Sequence, residues 1–368
     1  MKAQLDQVSE WVSSVSIQTG IPEKMRELSY HPVYAFQRSR AFGYFLEGFA
    51  MNLTAKFLPW LDSAVPPPPV ELIPKIRDSA IELLKRDTRA IQSGELPVSV
   101  LLPESPAQHA LRIPRLFADS LKVAWRRSKG KTTAFDSEAR AAAEKLPRYY
   151  RRNFHFQTNG YLSDESADLY EHQVEVLFGG TADAMRRLLI PALRARFGEG
   201  EGRRFLEVGA GTGAMSRFLA LAFPKAEIVV TDLSRPYLKA ARKRMAAFSN
   251  VDFLQADAAN LPFEEGQFDA VVSVFLFHEL PMEERKKVIL ESLRVLKPEG
   301  FFGFVDSMQL GDEPTFDPLF EIFPVAFHEP FYRNYSEHSM ERLLEEAGLK
   351  NWESTKGFLS KAVWAVRS

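Results

Sequence analysis

The stretch Phe205-Leu206-Glu207-Val208-Gly209-Ala210-Gly211-Thr212-Gly213 decides how this chain is read. Four residues suited to a buried strand run into three glycines in alternation, and a helical pattern then continues to about Phe223. Glycine lets the backbone turn sharply and lets a ligand approach main-chain N–H groups at a helix N-terminus. Alone, the loop has three readings: a methionine- or nucleotide-type cofactor site, a dinucleotide fingerprint built on Gly209, Gly211 and Ala214, or a purely structural βα turn.

The acidic residues downstream choose among them. Asp232 lies 21 residues after Gly211 and ends the next strand, where a carboxylate can accept both hydroxyls of a ribose. Asp257-Ala258 ends the third strand, where a short acid can accept from an adenine amino group and Ala258 can offer its N–H. Glu207, just before the glycines, is placed to meet a ligand ammonium and would repel a pyrophosphate. The set suits a cofactor with adenosine at one end and a cationic amino acid at the other better than a nicotinamide dinucleotide.

From about residue 200 onward, short β-branched runs alternate with helices, the signature of an α/β parallel sheet. The strands read as 203–208, 227–231, 252–255, 268–274 and 300–305, followed by two near 350–355 and 359–366. A helix is predicted over 336–347, stopped by Gly348, and a tight turn at Lys356-Gly357 predicts an antiparallel final pair.

With Asp232-Leu233-Ser234, Asp257-Ala258, Phe268-Asp269-Ala270-Val271-Val272-Ser273 and Leu293-Arg294-Val295-Leu296-Lys297-Pro298-Glu299-Gly300 in register behind the glycine loop, the chain resembles the class I S-adenosylmethionine-dependent methyltransferases over roughly residues 185–368. The resemblance implies a seven-stranded, mostly parallel, doubly wound sheet whose last strand is antiparallel. It also implies that S-adenosyl-L-methionine lies over the C-terminal strand ends, held by Glu207, Gly209, Ala210, Gly211, Gly213, Asp232, Leu233, Asp257, Ala258 and Phe275. Glu299 departs from the usual pattern, in which a glycine precedes Gly300; this bears on a turn and not on chemistry.

The first half, residues 1–148, is proline-punctuated and reads as a helical lid or substrate domain, with a methyltransferase domain over 149–368 that begins with a lid segment, 149–198. Phe42, Phe45, Leu46, Phe49, Leu53 and Phe57 recur at helical spacing within 38–61 and predict a core-facing helix. Pro66–Pro69 reads as a stiff extended connector before an amphipathic stretch over 70–91, and another helix is predicted over 114–127. A polar break over 128–137 reads as a mobile loop.

In the aromatic segment before the first strand, Phe156, Tyr161 and Tyr170 are candidates to cover the methionine end and bind substrate; the alternative is that they form an interface between domains. His278, just past the fourth strand, suits a general base by its ordinary pKa, or is a packing residue. His328 is the second catalytic candidate, in a long aromatic segment after the fifth strand. That segment also carries Tyr332 and Tyr335, and we expect His278, His328, Tyr332, Tyr335, Phe156 and Tyr161 to line one cavity. The dipeptides His278-Glu279 and His328-Glu329 are weak evidence for a metal site, and no metal is expected.

Composition narrows the function. The 368 residues contain no cysteine, which removes thiolate nucleophiles, iron–sulfur clusters and the radical branch of this cofactor's chemistry. There is no Asn-Pro-Pro-Tyr or Asp-Pro-Pro-Tyr after the fourth strand, the clamp of base and glutamine N-methyltransferases. The leading expectation is methyl transfer to a small, partly apolar acceptor. The rivals are an RNA or tRNA methyltransferase, a non-methylating user of the cofactor, and a cofactor-binding assembly factor. Lys and Arg number 47 against 48 Asp and Glu, so a nucleic-acid partner would have to use a local patch. Residues 112–152, with twelve Lys or Arg against four acids, are the one candidate. No bilayer-spanning run and no secretory signal over Met1–Trp11 are expected, which makes the cytosol the default.

Overall fold

The computed structural model describes residues 31–56, 69–102 and 106–367; the readings of Met1–Trp11 and of Pro66–Pro68 lie outside the described residues. In chain order the helices before the sheet are α1 (Pro32–Lys56), α2 (Ile73–Gln92), α3 (Pro106–Ser128), α4 (Ser137–Ala143), α5 (Asp164–Leu177), α6 (Ala182–Arg186) and α7 (Ile190–Phe197). The α/β part then runs β1 (Arg204–Val208), α8 (Ala214–Ala222), β2 (Glu227–Asp232), α9 (Arg235–Arg244), β3 (Val251–Gln255), β4 (Phe268–Val274), α10 (Met282–Val295), β5 (Leu296–Ser307), α11 (Asp317–Phe327), α12 (Tyr332–Glu337), α13 (Met340–Glu346), β6 (Trp352–Gly357) and β7 (Ser360–Val366).

The strands assemble in the order β3-β2-β1-β4-β5-β7-β6, and β7 alone runs antiparallel to its neighbours. β1 and β4 sit at the centre, and almost all of their residues are buried, covered on both faces as a parallel sheet requires. β5 is longer than its predicted core: Leu296 pairs with Phe268 before the register jumps to Phe301 opposite Ala270. Glu299 takes φ 59° in that bulge, the left-handed conformation for which glycine is the usual residue. The predicted helix over 336–347 is broken by His338, and Ser339 starts a new one by capping the N–H of Arg342. The turn between β6 and β7 falls at Phe358-Leu359, one to two residues beyond Lys356-Gly357, because Gly357 pairs with Ser360 as the last rung.

The helical first half also departs from its predicted details. Phe42, Phe45, Leu46 and Phe49 are 47–61% exposed, so this face of α1 does not look into the core. The side chain of Leu53 and residues 57–61 lie outside the described residues. α3 begins two turns before the predicted start and carries Pro114 inside it. The segment 129–136 is pinned rather than loose: Asn153 accepts from the N–H of Ala134 and donates to its carbonyl, and Asn159 accepts from the N–H of Asp136. Among the described residues no helix is long and apolar enough to cross a membrane.

The two halves share one apolar core, in which Leu83 and Leu84 of α2 join Leu188, Phe205 and Phe218. Across that core Asp87 of α2 takes a two-pronged pair of bonds from Arg187, at 2.8 and 2.7 Å, with both side chains buried. Removing one partner would strand a buried guanidinium. Asp87→Ala is therefore expected to cost about 3–5 kcal/mol of unfolding free energy in a urea melt. A loss below about 1 kcal/mol would show that the pair does not hold the layers together.

Candidate active site

The first cavity opens at the C-terminal ends of β1, β2, β3 and β4. The turn after β1 is closely built: Gly209 has φ 65°, and a Cβ there would meet Leu276 Cδ1 at 2.8 Å. Gly213 opens α8 with φ 79°, and a Cβ would meet that of Ala241 at 2.9 Å. At Gly211 a Cβ would find only Tyr237, at 4.0 Å, so this backbone faces open space. Asp232 accepts from the N–H of Gly211 through Oδ2 and from that of Ser234 through Oδ1, each at 2.7 Å. Burial pushes its carboxyl up to about 6 against the pull of those two N–H groups.

Of the predicted cofactor residues, Gly209, Gly211, Asp232, Leu233, Asp257, Ala258 and Phe275 line this cavity. Ala210, Gly213 and Glu207 stand behind it. Glu207 is buried under the turn, accepts from Ser216 Oγ at 2.6 Å, and has its carboxyl pushed up to about 8 by burial. Tyr149, Tyr150, Tyr161 and Tyr170 also line it. Tyr161 packs its ring 6.0 Å from those of Tyr150 and Tyr170 and 5.2 Å from that of Tyr237. An open glycine cradle at a helix start beside two strand-end carboxylates fits the nucleoside of S-adenosylmethionine.

The second cavity has a volume of about 300 Å³ and lies against the first. Tyr170 and Phe275 face both. Phe275 projects from the end of β4 with φ 55°, a conformation rare for an aromatic residue and of the kind that gathers at functional sites. Met51 of α1, Leu116 and Ala124 of α3, and Phe320 and Phe323 of α11 supply apolar walls; His155, Gln157, His278 and Ser307 are polar groups on its lining.

The single cavity expected for six residues is corrected here. His278 and Tyr332 line the second cavity, and Tyr161 lines the first. Tyr335 is fully buried and donates to the Ser307 carbonyl. Phe156 packs its ring 5.1 Å from that of His328, and neither lines either cavity. Both stand on left-handed backbone, Phe156 at φ 55° and His328 at φ 49°, and their rings pack on each other instead.

His278 is held by Asp306, whose Oδ1 lies 2.6 Å from Nδ1 and which also accepts from the N–H groups of Phe277 and Ser307. Burial lowers the His278 pKa, but Asp306, Glu279 and Glu329 outweigh it and raise it to about 9. Sequence reasoning missed Asp306 and His155. His155 Nε2 is 3.1 Å from Glu279 Oε1, and Nδ1 is 2.7 Å from Glu329 Oε1. The residues are 124 positions apart in the first pair, so no local spacing could reveal them. The only signal was the Phe-His-Phe-Gln run, read for its aromatics.

Comparison with known proteins agrees with this geometry. Residues 205–300 match the family model described as a methyltransferase domain. The chain is 30% identical over 190 residues to a malonyl-(acyl-carrier protein) O-methyltransferase of Geobacter sulfurreducens, covering 50% of this chain and 69% of that protein. It is 36% identical over 139 residues to a demethylmenaquinone methyltransferase of Clavibacter sepedonicus, covering 38% and 54% respectively. The chain is a class I S-adenosylmethionine-dependent methyltransferase. A SAM-dependent methyltransferase structure from Aquifex aeolicus is 22% identical, with a TM-score of 0.40 over 51% of this chain and 94% of the other. In this methyltransferase eight of the twelve Lys and Arg in the basic tract 112–152 are exposed, and some of its arginines bond other parts of the chain. Arg112 and Arg115 pair with Asp168, Arg126 donates to Phe156 O and Thr158, and Arg151 donates to Leu146 O.

Proposed function

We propose that this methyltransferase methylates a small acceptor with an apolar body, held in the 300 Å³ cavity behind Phe275 and Tyr170. The observation that carries this reading is that those two side chains face both cavities, so a donor in one and an acceptor in the other meet at a single wall. S-adenosylmethionine, when bound, supplies a methyl group on a sulfonium sulfur. Asp232 takes the ribose hydroxyls and Asp257 and Ala258 the adenine, while Glu207, buried beneath the glycine turn and bonded to Ser216, supports that turn from behind. The apolar walls exclude water, and helices α1 and α3 give the first half of the chain its part in acceptor binding. His278, steadied through Nδ1 by Asp306, presents Nε2 to the acceptor as its polar anchor. Two relatives are named for malonyl-(acyl-carrier protein) and for demethylmenaquinone, so the named acceptors of matched proteins differ in kind.

Asp232→Asn is expected to weaken binding of S-adenosylhomocysteine by about 1–3 kcal/mol in calorimetry, through loss of charge-assisted hydrogen bonds. The ionised carboxylate is the better acceptor. With its pKa raised to about 6, wild-type affinity should be full at pH 7–8 and decline as pH falls through about 6. An affinity unchanged down to about pH 5, well below that pKa, would assign the ribose to another group.

Ala124→Phe fills the second cavity from α3 and His278→Asn removes its anchor. Both should leave S-adenosylhomocysteine affinity intact. Acceptors found by screening metabolites with methyl-labelled cofactor should then show kcat/KM lower by about tenfold or more in both variants. Unaltered turnover in both would place the acceptor elsewhere.

A further inference from the structure

Behind the wall between the cavities, three ligand-type side chains converge from three separate segments. His155 comes from the turn at Phe154–Phe156, Glu279 from the turn after β4, and Glu329 from the link between α11 and α12. One ligand atom from each lies within 4.8 Å of the others, although the residues are scattered over 175 positions of sequence. Glu329 is 2% exposed, and while its Oε1 lies 2.7 Å from His155 Nδ1, its Oε2 and the Oε2 of Glu279 accept no hydrogen bond. Buried carboxylate oxygens without donors are unusual in a folded protein and call for a cation.

We propose that His155, Glu279 and Glu329 bind one divalent transition-metal ion, of the Mn²⁺ or Zn²⁺ class. One imidazole nitrogen and two carboxylates make a borderline donor set, which suits these ions better than Ca²⁺. Supporting contacts are in place: Tyr161 donates its hydroxyl to Glu279 Oε1 at 2.5 Å, fixing the carboxylate that the ion would share. Asp306, bonded to His278, adds a further carboxylate to the neighbourhood. His155 faces the acceptor cavity and Glu279 the cofactor cavity. An ion held between them would lie beside the wall where the two ligands meet and would be able to polarise an oxygen of the acceptor. The other histidine–carboxylate group, Glu47 with His109 and His172, is of a different kind. Its two imidazoles stack at 4.2 Å with planes 19° apart, each bonds its own oxygen of Glu47 so that the carboxylate is satisfied, and none of the three residues lines either cavity.

The test uses the full chain, stripped with a chelator and titrated with Mn²⁺ and Zn²⁺ by calorimetry. One ion per chain with a dissociation constant in the micromolar range or below is expected. Glu329→Gln should weaken it by about tenfold or more while S-adenosylhomocysteine still binds, which reports the fold. Pulsed EPR of the Mn²⁺ protein should show a directly coordinated imidazole nitrogen that disappears in His155→Gln, and this readout stands if Glu329→Gln does not fold. Absence of stoichiometric binding, bound Mn²⁺ without that nitrogen, or unchanged affinity in folded Glu329→Gln would overturn the proposal. Any of these would leave His155 as an imidazolium that offers one N–H to each glutamate, and would leave the methyl-transfer reading untouched.

Discussion

The carboxylate of Asp232, gripped between the N–H groups of Gly211 and Ser234 at 2.7 Å each, ties the tips of β1 and β2 together. Its own carbonyl accepts from the N–H of Ala256 and extends the tie to β3. The glycine turn can hold its left-handed path because this clamp fixes it on one side and Leu276 packs against Gly209 on the other. With the turn fixed, the start of α8 and the strand ends form the floor of the cofactor cavity. A buried carboxylate raised to about 6 is costly, and it is tolerated because it aligns these elements.

From that floor the architecture proceeds outward in two directions. β4 ends in Phe275, whose unusual backbone turns the ring into the wall between the cavities. Beyond it His278 is fixed by Asp306 at the end of β5, so two adjacent parallel strands deliver a polar edge of the second cavity. The helical half supplies the apolar edge. Because its α2 shares a core with the sheet and is locked there by Asp87 and Arg187, α1 and α3 sit on a layer anchored to the fold.

What the sequence revealed follows from the range of the forces involved. Buried central strands announce themselves as continuous apolar runs, and the left-handed turn at Gly209–Gly213 demands glycine, so the sheet and the cofactor floor were legible. Helical periodicity located α1 but could not say what its apolar stripe meets, and Phe42, Phe45 and Phe49 proved exposed. The hairpin tip was misplaced because Phe358 takes φ 57° without glycine, while Gly357 is needed for packing: a Cβ there would lie 2.8 Å from Leu188. His155, Glu279 and Glu329 are joined only by tertiary folding. Their dipeptide neighbours in sequence pointed to His328, which packs on Phe156 away from either cavity.

The central claim is that donor and acceptor meet at the wall formed by Tyr170 and Phe275. A crystal structure with S-adenosylhomocysteine tests it most directly. The account places the adenine beside Asp257 and Ala258 and the sulfur against that wall on the side opposite His278. A nucleoside bound with its sulfur turned away from Phe275, or lodged in the apolar cavity itself, would contradict it.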